Sequence, residues 1–283
     1  MNFHREPITF VGQVNLKVEN LERSLTFYQE IIGFKLLEQT DKTANLTADG
    51  KTVLLSIEQP DNVIPKQQRT IGLYHFALLL PKRSDLGKIL KHFLQVGYPL
   101  QGAADHYVSE AIYLADPDGN GIEIYSDRAP SEWTWNNNEV VMPSEELDAE
   151  DLLAKAQGDL WNGLPVDTLM GHIHLHVSDL EKNKEFYIDG LGFEVVSRYG
   201  NHALFISDGK YHHHIALNLW NGVGAPQPSD NSVGLESFTL MIPNEEIRRK
   251  IIEQLKNIGS SVTEENDSFI ASDPSGNRIR LRV

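Results

Sequence analysis

The chain has 283 residues, 40% of them hydrophobic, enough to build one large domain or two of ordinary size. A formal net charge of −15 argues against a nucleic-acid surface, because phosphate binding needs a basic face. There is no cysteine, which excludes disulfides, thiolate metal sites and a cysteine nucleophile.

The opening MNFHREPITF has no apolar signal region, and no stretch approaches the length of a membrane span. A soluble cytoplasmic protein that binds neither nucleic acid nor membrane is expected. The first periodic segment is VGQVNLKVENLERSLTFYQEIIGF (11–34). It reads as an alternating strand, an Asn20 cap, an amphipathic helix carrying Phe27-Tyr28, and a Gly-Phe exit. Short strands with a turn at ADG (48–50) complete a first module over about 8–58.

A second module (69–127) begins with the strand IGLYHFALLLP (71–81). A helix, LGKILKHFLQVG (86–97), follows, and the module closes with the hairpin ADPDGNGIEIY (115–125). Residues 128–167 form a connector rich in Asn, Glu and Trp, with a short helix expected around Glu145–Gln157.

The third module (168–220) repeats the first. MGHIHLHVSDLEKNKEFYIDGLGF (170–193) lies over residues 11–34 without a gap, with Asp179 as the cap and SDG (207–209) as the later turn. The fourth (232–283) repeats the second, with VGLESFTLMIP (233–243) over the first strand and SDPSGNRIRLR (272–282) over the hairpin. One such module cannot cover its own sheet, so modules should pair, giving an α+β fold of four βαβββ modules in two half-open barrels. The sequence halves then read as an N-terminal domain (1–127), the connector (128–167) and a C-terminal domain (168–283).

Four such modules, with FY-x₅-GF helices and DPDGN-x-IE hairpins, resemble the vicinal oxygen chelate superfamily over nearly the whole chain outside the connector. Length and motifs are most similar to its two-barrel extradiol dioxygenases, particularly the bacterial catechol 2,3-dioxygenases. The resemblance implies metal ligands on the first strand of a module and on its last hairpin. The first-strand position reads Gln13, His75, His172 and Ser237 across the repeats; the last-strand position reads Glu123 in module 2 and Arg280 in module 4. Module 3 offers Ala216 or Asn218 there, and module 1 offers Leu54 or Ser56.

The familiar extradiol layout, with the site in modules 3 and 4, cannot form here, because a cation would meet the Arg280 guanidinium. The usable ligands His75, Glu123 and His172 belong to modules 2 and 3. They meet only if module 2 pairs with module 3 and module 1 with module 4, a swap for which the connector leaves room. Two imidazoles and a carboxylate form a facial triad with open positions, suited to Fe(II) and O₂ chemistry; Mn(II) fits the same donors.

The resemblance carries over three further residues. His213, in YHHHIALNLW, matches the histidine that assists substrate deprotonation and stabilises developing charge. Tyr113 matches the tyrosine that hydrogen-bonds the substrate oxygen. His106, in DHYVSEAIY, resembles the histidine that contacts the metal-bound oxygen, although its spacing to Tyr113 is two residues shorter than the family pattern.

Seven of the eleven histidines lie between positions 172 and 214, so most need an ordinary explanation. His174 shares the strand face of His172 and reads as a hydrogen-bonding neighbour of the ligands; His176 reads as structural. In the triplet at 212–214 alternation turns inward either His213 alone or His212 with His214, and the family alignment favours His213 over His214. His4, His92 and His202 read as surface residues. Gln13, Ser237 and Arg280 leave the barrel of modules 1 and 4 without a ligand set, as a supporting unit.

The function so implied is an extradiol dioxygenase acting on a small aromatic diol and O₂, a role compatible with a homo-oligomer. Two alternatives remain. A glyoxalase-type lyase would use Gln13, His75 and Glu123, and a ligand-sequestering protein would need no metal at all.

Overall fold

The computed structural model describes residues 3–156, 160–265 and 268–283. Module 1 contributes β1 (Phe10–Lys17), β2 (Lys35–Gln39), β3 (Thr43–Thr47) and β4 (Leu55–Glu58); module 2 contributes β5 (Gly72–Leu79), β6 (Gly102–Asp105), β7 (Ser109–Ala115) and β8 (Gly121–Asp127). The connector adds a hairpin of β9 (Trp135–Asn136) and β10 (Glu139–Val140). Module 3 holds β11 (Leu169–His176), β12 (Glu194–Tyr199), β13 (Ala203–Ser207) and β14 (Ile215–Asn218). Module 4 holds β15 (Gly234–Met241), β16 (Val262–Glu265), β17 (Ser268–Ser272) and β18 (Arg278–Arg282). The helices are α1 (Leu21–Thr26), α2 (Arg83–Val96), α3 (Ala149–Lys155), α4 (Leu180–Glu185) and α5 (Glu245–Asn257).

Two eight-stranded sheets form, in the orders β16-β17-β18-β15-β1-β4-β3-β2 and β12-β13-β14-β11-β5-β8-β7-β6. Each half-barrel therefore takes one module from each half of the sequence. Module 1 joins module 4 through the antiparallel β1–β15 seam, and module 2 joins module 3 through β5–β11. The pairing is the swapped one that the ligand positions require.

Alternation along these seam strands separates core from site. Phe76 and Ile173 face each other across β5–β11 and are fully buried on the helix side of the sheet. Burying a side chain of that size contributes about 1.5–3 kcal/mol, which holds the polar alternates His75, His172 and His174 on the opposite, concave face. One apolar core runs through all four modules, from Val14, Leu16 and Phe27 to Ile173, Phe186, Phe238 and Leu281.

The helices of modules 1 and 3 start as the caps direct: Asn20 and Asp179 accept from the backbone N–H of Arg23 and Lys182. Each then widens into a π turn, over Phe27–Ile32 and Phe186–Gly190, which periodicity did not signal. These turns carry the Phe-Tyr pairs. Tyr28 donates to Asp116 of the DPDGN turn at 2.8 Å, and Tyr187 donates to Asp273 of the DPSGN turn at 3.1 Å. Both bonds are buried and each ties one half-barrel to the other, so these tyrosines do more than fill space between helix and sheet.

The connector is built as a strap. Its helix spans Ala149–Lys155, shorter than the stretch expected, and Gln157 lies outside the described residues. Asp105, at the end of edge strand β6, exchanges backbone hydrogen bonds with Glu145 at 2.9 Å each way. On the opposite edge strand, β12, Arg198 pairs with Glu139 at 3.0 Å. The connector thus spans the open side of the module 2–module 3 half-barrel. Among the described residues no helix is long and apolar enough to cross a membrane.

Candidate metal centre

The site begins with a row across four strands. In the hydrogen-bonded register His172 on β11 faces Ala77 on β5, Ala77 faces Glu123 on β8, and Glu123 faces Tyr113 on β7. Ala77 contributes only a methyl group between the two larger side chains. His75 lies two residues along β5, on the same face, with His174 opposite it on β11. Ligand atoms of His75, Glu123 and His172 all lie within 4.8 Å of one another, and among the described residues no other three His, Asp or Glu side chains do so.

A glycine bulge aims His172. The β5–β11 register slips between Met170 and His172, leaving Gly171 off the ladder. A Cβ at Gly171 would sit 2.0 Å from the Tyr125 hydroxyl, so only glycine fits beneath that ring. The carbonyl freed by the bulge accepts from His4 Nε2 at 2.8 Å. His4 is therefore a buried structural residue and not a surface one: the bulge creates an orphan acceptor that must be satisfied.

All three candidate ligands are buried. Glu123 Oε2 lies 3.0 Å from His75 Nε2 and 3.2 Å from His172 Nε2. Burial opposes ionisation of Glu123, but the imidazoles beside it more than offset this and hold the carboxyl well below its ordinary range. Burial lowers His172 to about 4, so it is neutral at pH 7. The result is a buried carboxylate charge beside a neutral imidazole.

His75 Nε2, though close to Glu123, makes no hydrogen bond in this arrangement. A buried lone pair with no donor, set beside a second imidazole and an anionic oxygen, is the donor set of a divalent cation. The residues fit such an ion.

Two of the three, His75 and Glu123, line a cavity of about 680 Å³, with His172 buried behind them. His75, Glu123, Tyr113, His106, His174 and His213 line it, as do Tyr74, Phe205, Trp220 and the connector residues Met142, Pro143 and Ser144. The His213 ring centroid lies 4.1 Å from that of His172. His214 turns away: its Nε2 bonds the Phe3 carbonyl at 3.0 Å. Residues 211–214 precede β14 and are not in a strand, so strict alternation does not apply to the triplet and all three rings are buried.

His106 and Tyr113 are joined, His106 Nε2 lying 2.7 Å from the Tyr113 hydroxyl, while His106 Nδ1 lies 2.7 Å from the Pro143 carbonyl. A carbonyl only accepts, so His106 carries its hydrogen on Nδ1 and Tyr113 donates to Nε2. Burial, reinforced by Glu123, raises the Tyr113 hydroxyl well above 10 and keeps it protonated. His174 has no partner at Nε2 and packs edge-on to His75 with centroids 5.0 Å apart. His176 bonds Asn218 at 2.7 Å, outside this cavity.

Among the described residues the other half-barrel holds no such set. Gln13 Nε2 donates to Asn15 and Ser56, and Arg280 Nε donates to Ser237. Gln13 therefore lies on a different sheet from His75 and Glu123, and the glyoxalase-type combination is not assembled. His92 is half-buried against Trp161, while His202 is exposed.

Sequence reasoning missed the connector wall of Met142, Pro143 and Ser144. The wall residues carry no local signal, because only the folded path of the connector brings them over the cavity.

A model of the Glyoxalase/Bleomycin resistance protein/Dioxygenase superfamily matches residues 11–124 and again 169–281. The chain is 47% identical over 269 residues to a Bacillus subtilis (strain 168) protein named catechol-2,3-dioxygenase, covering 94% of each. It is 30% identical over 129 residues to biphenyl-2,3-diol 1,2-dioxygenase 3 of Rhodococcus globerulus, covering 42% of this chain and 65% of that one. Glyoxalase I from Zea mays superposes with a TM-score of 0.59 at 15% identity, over 96% of this chain and 92% of that one. A structure from Bacillus subtilis subsp. subtilis str. 168 gives 0.63 at 14% identity, over 96% and 84%. At such identities the structural likeness shows the fold alone.

Proposed function

The chain belongs to the Glyoxalase/Bleomycin resistance protein/Dioxygenase superfamily, and we propose that it is an extradiol ring-cleaving dioxygenase that opens catechol or a substituted catechol with O₂. The observation that carries this reading is the convergence of His75, Glu123 and His172 at the wall of a cavity that His75, Glu123, His213, Tyr113 and His106 line. The name of the relative at 47% identity supports the same substrate class. Fe(II) held by these three side chains would supply Lewis acidity toward the diol and activation of O₂, and Mn(II) suits the same donors.

The chain's own groups do the remaining work. His213, neutral because burial lowers it well below 6.5, can take a proton from a diol hydroxyl. Tyr113 spends its hydrogen on His106, so its oxygen is free to accept from the second hydroxyl. Phe205, Trp220 and Tyr74 offer ring faces and edges to an aromatic substrate, and Met142 and Pro143 wall it from water. In the net reaction the ring C–C bond next to the diol breaks and both atoms of O₂ enter the product.

Anaerobic reconstitution with Fe(II), then catechol and air, should consume O₂ and give a yellow semialdehyde. Protein that carries the metal but turns over neither catechols nor hydroquinones would refute the reading.

A further inference from the structure

Behind His213 lies a chain of polar groups that the reaction above does not use. His213 Nδ1 is 2.8 Å from His212 Nδ1, and His212 Nε2 is 2.9 Å from Asp127 Oδ1. Asp127 also accepts from the Tyr211 hydroxyl at 3.3 Å, and Tyr211 is 2.7 Å from the Tyr125 hydroxyl. His212 is fully buried, its ring clamped by Tyr211 at 4.0 Å and Trp133 at 5.3 Å between centroids. A fully buried imidazole between a carboxylate and a second imidazole is costly to place unless each nitrogen is engaged.

We propose that Asp127 and His212 are positioning residues that fix which nitrogen of His213 faces the substrate as a base. The direction of every hydrogen bond follows from the carboxylate end. A carboxylate only accepts, so His212 carries hydrogen on Nε2. On this assignment His212 carries no second hydrogen, so its Nδ1 is bare and His213 supplies the hydrogen between the two rings from its own Nδ1. The remaining nitrogen of His213, Nε2, is left as the bare, basic one in a residue that lines the cavity. When a substrate O–H bond breaks and an N–H bond forms at Nε2, the imidazolium is stabilised through His212 by the Asp127 charge, as the aspartate of a hydrolase triad stabilises its histidine.

The glycine bulge serves the same purpose. Gly171 makes room for Tyr125. Tyr125 and Tyr211 together give Asp127 a second donor besides His212, which keeps the carboxylate aimed inward although it stands at the end of β8.

The catalytic consequence rests on the dioxygenase reading, while the hydrogen-bond direction does not, and the test separates the two. In ¹⁵N-histidine-labelled protein loaded with diamagnetic Zn(II), His213 should show a protonated Nδ1 and a bare Nε2, and His212 a protonated Nε2 and a bare Nδ1. Hydrogen on Nε2 of His213, or on both nitrogens of His212, overturns the proposal without reference to any activity. In Asp127→Ala the two histidines should lose their single tautomer. With Fe(II), kcat for catechol should then fall about tenfold or more, the range of a misoriented general base, with KM little changed. Should that variant fail to fold, the isosteric Asp127→Asn carries the same measurements. An unchanged tautomer with kcat and KM altered alike would assign Asp127 to stability only. Absence of turnover in the parent protein, with the expected tautomers present, would count against the dioxygenase reading and leave the relay standing.

Discussion

Glu123 is the side chain whose replacement separates metal binding from folding. Glu123→Gln keeps the shape but removes the carboxylate charge from a buried group of three, where the carboxylate sits 3.0 and 3.2 Å from two imidazole nitrogens. In the metal-free protein the imidazoles beside it hold the carboxylate in its charged form despite its burial, so the variant without metal should be no more stable than the parent. With metal the gap widens. A divalent ion at a hundred times its Kd stabilises the parent by about 2.7 kcal/mol. For a chain of this size that corresponds to roughly 5 °C in Tm. Loss of an anionic ligand should weaken binding by at least about a hundredfold, more than the 10- to 100-fold seen when only a supporting partner is lost. The same metal concentration should then leave the variant's Tm nearly unmoved. Thermal melts with and without Fe(II) or Mn(II), alongside metal analysis, give both readings. A variant that keeps the full metal-induced rise would refute the assignment of Glu123 as a ligand.

Other consequences are as direct. His213→Ala should retain bound metal but lose about a hundredfold or more in kcat, measured by O₂ uptake, because it removes a base and not a ligand. Tyr28→Phe deletes the buried bond to Asp116 and should cost about 1–2 kcal/mol, read as a lower midpoint in urea. Gly171→Ala forces a Cβ into the Tyr125 hydroxyl, so it should destabilise by about 2 kcal/mol or more and disturb the His4 bond, visible as a lower Tm. His176 is lowered to about 4 by burial, so the unfolded chain takes up its proton first as acid is added. Its contribution is complete above about pH 6.5, shrinks as pH falls toward 4, and amounts to about 3 kcal/mol; denaturant melts of metal-free protein across that window should show the decline.

Much of this molecule is legible in its repeats. The polar alternates of the seam strands, the Asn20 and Asp179 caps and the paired DPDGN and DPSGN turns are local patterns, set by side-chain period and turn chemistry, and they appear in the structure where the repeats place them. Even the swap can be read, since Arg280 and Ser237 leave no cation site in modules 3 and 4 while His75, Glu123 and His172 require modules 2 and 3 to meet. What escaped was whatever depended on contacts between segments without a shared period. The π turns under Phe27 and Phe186 and the loop geometry of the 212–214 triplet are examples. His4 was misjudged for the same reason: its partner is a carbonyl 167 residues away that only a bulge sets free. Sequence alone determined which side chains share a face, because a strand's alternation is a property of its own backbone. Only tertiary structure decided which groups stand behind His213 and which segment covers the cavity, because a side chain's partners and a wall's position are set across space.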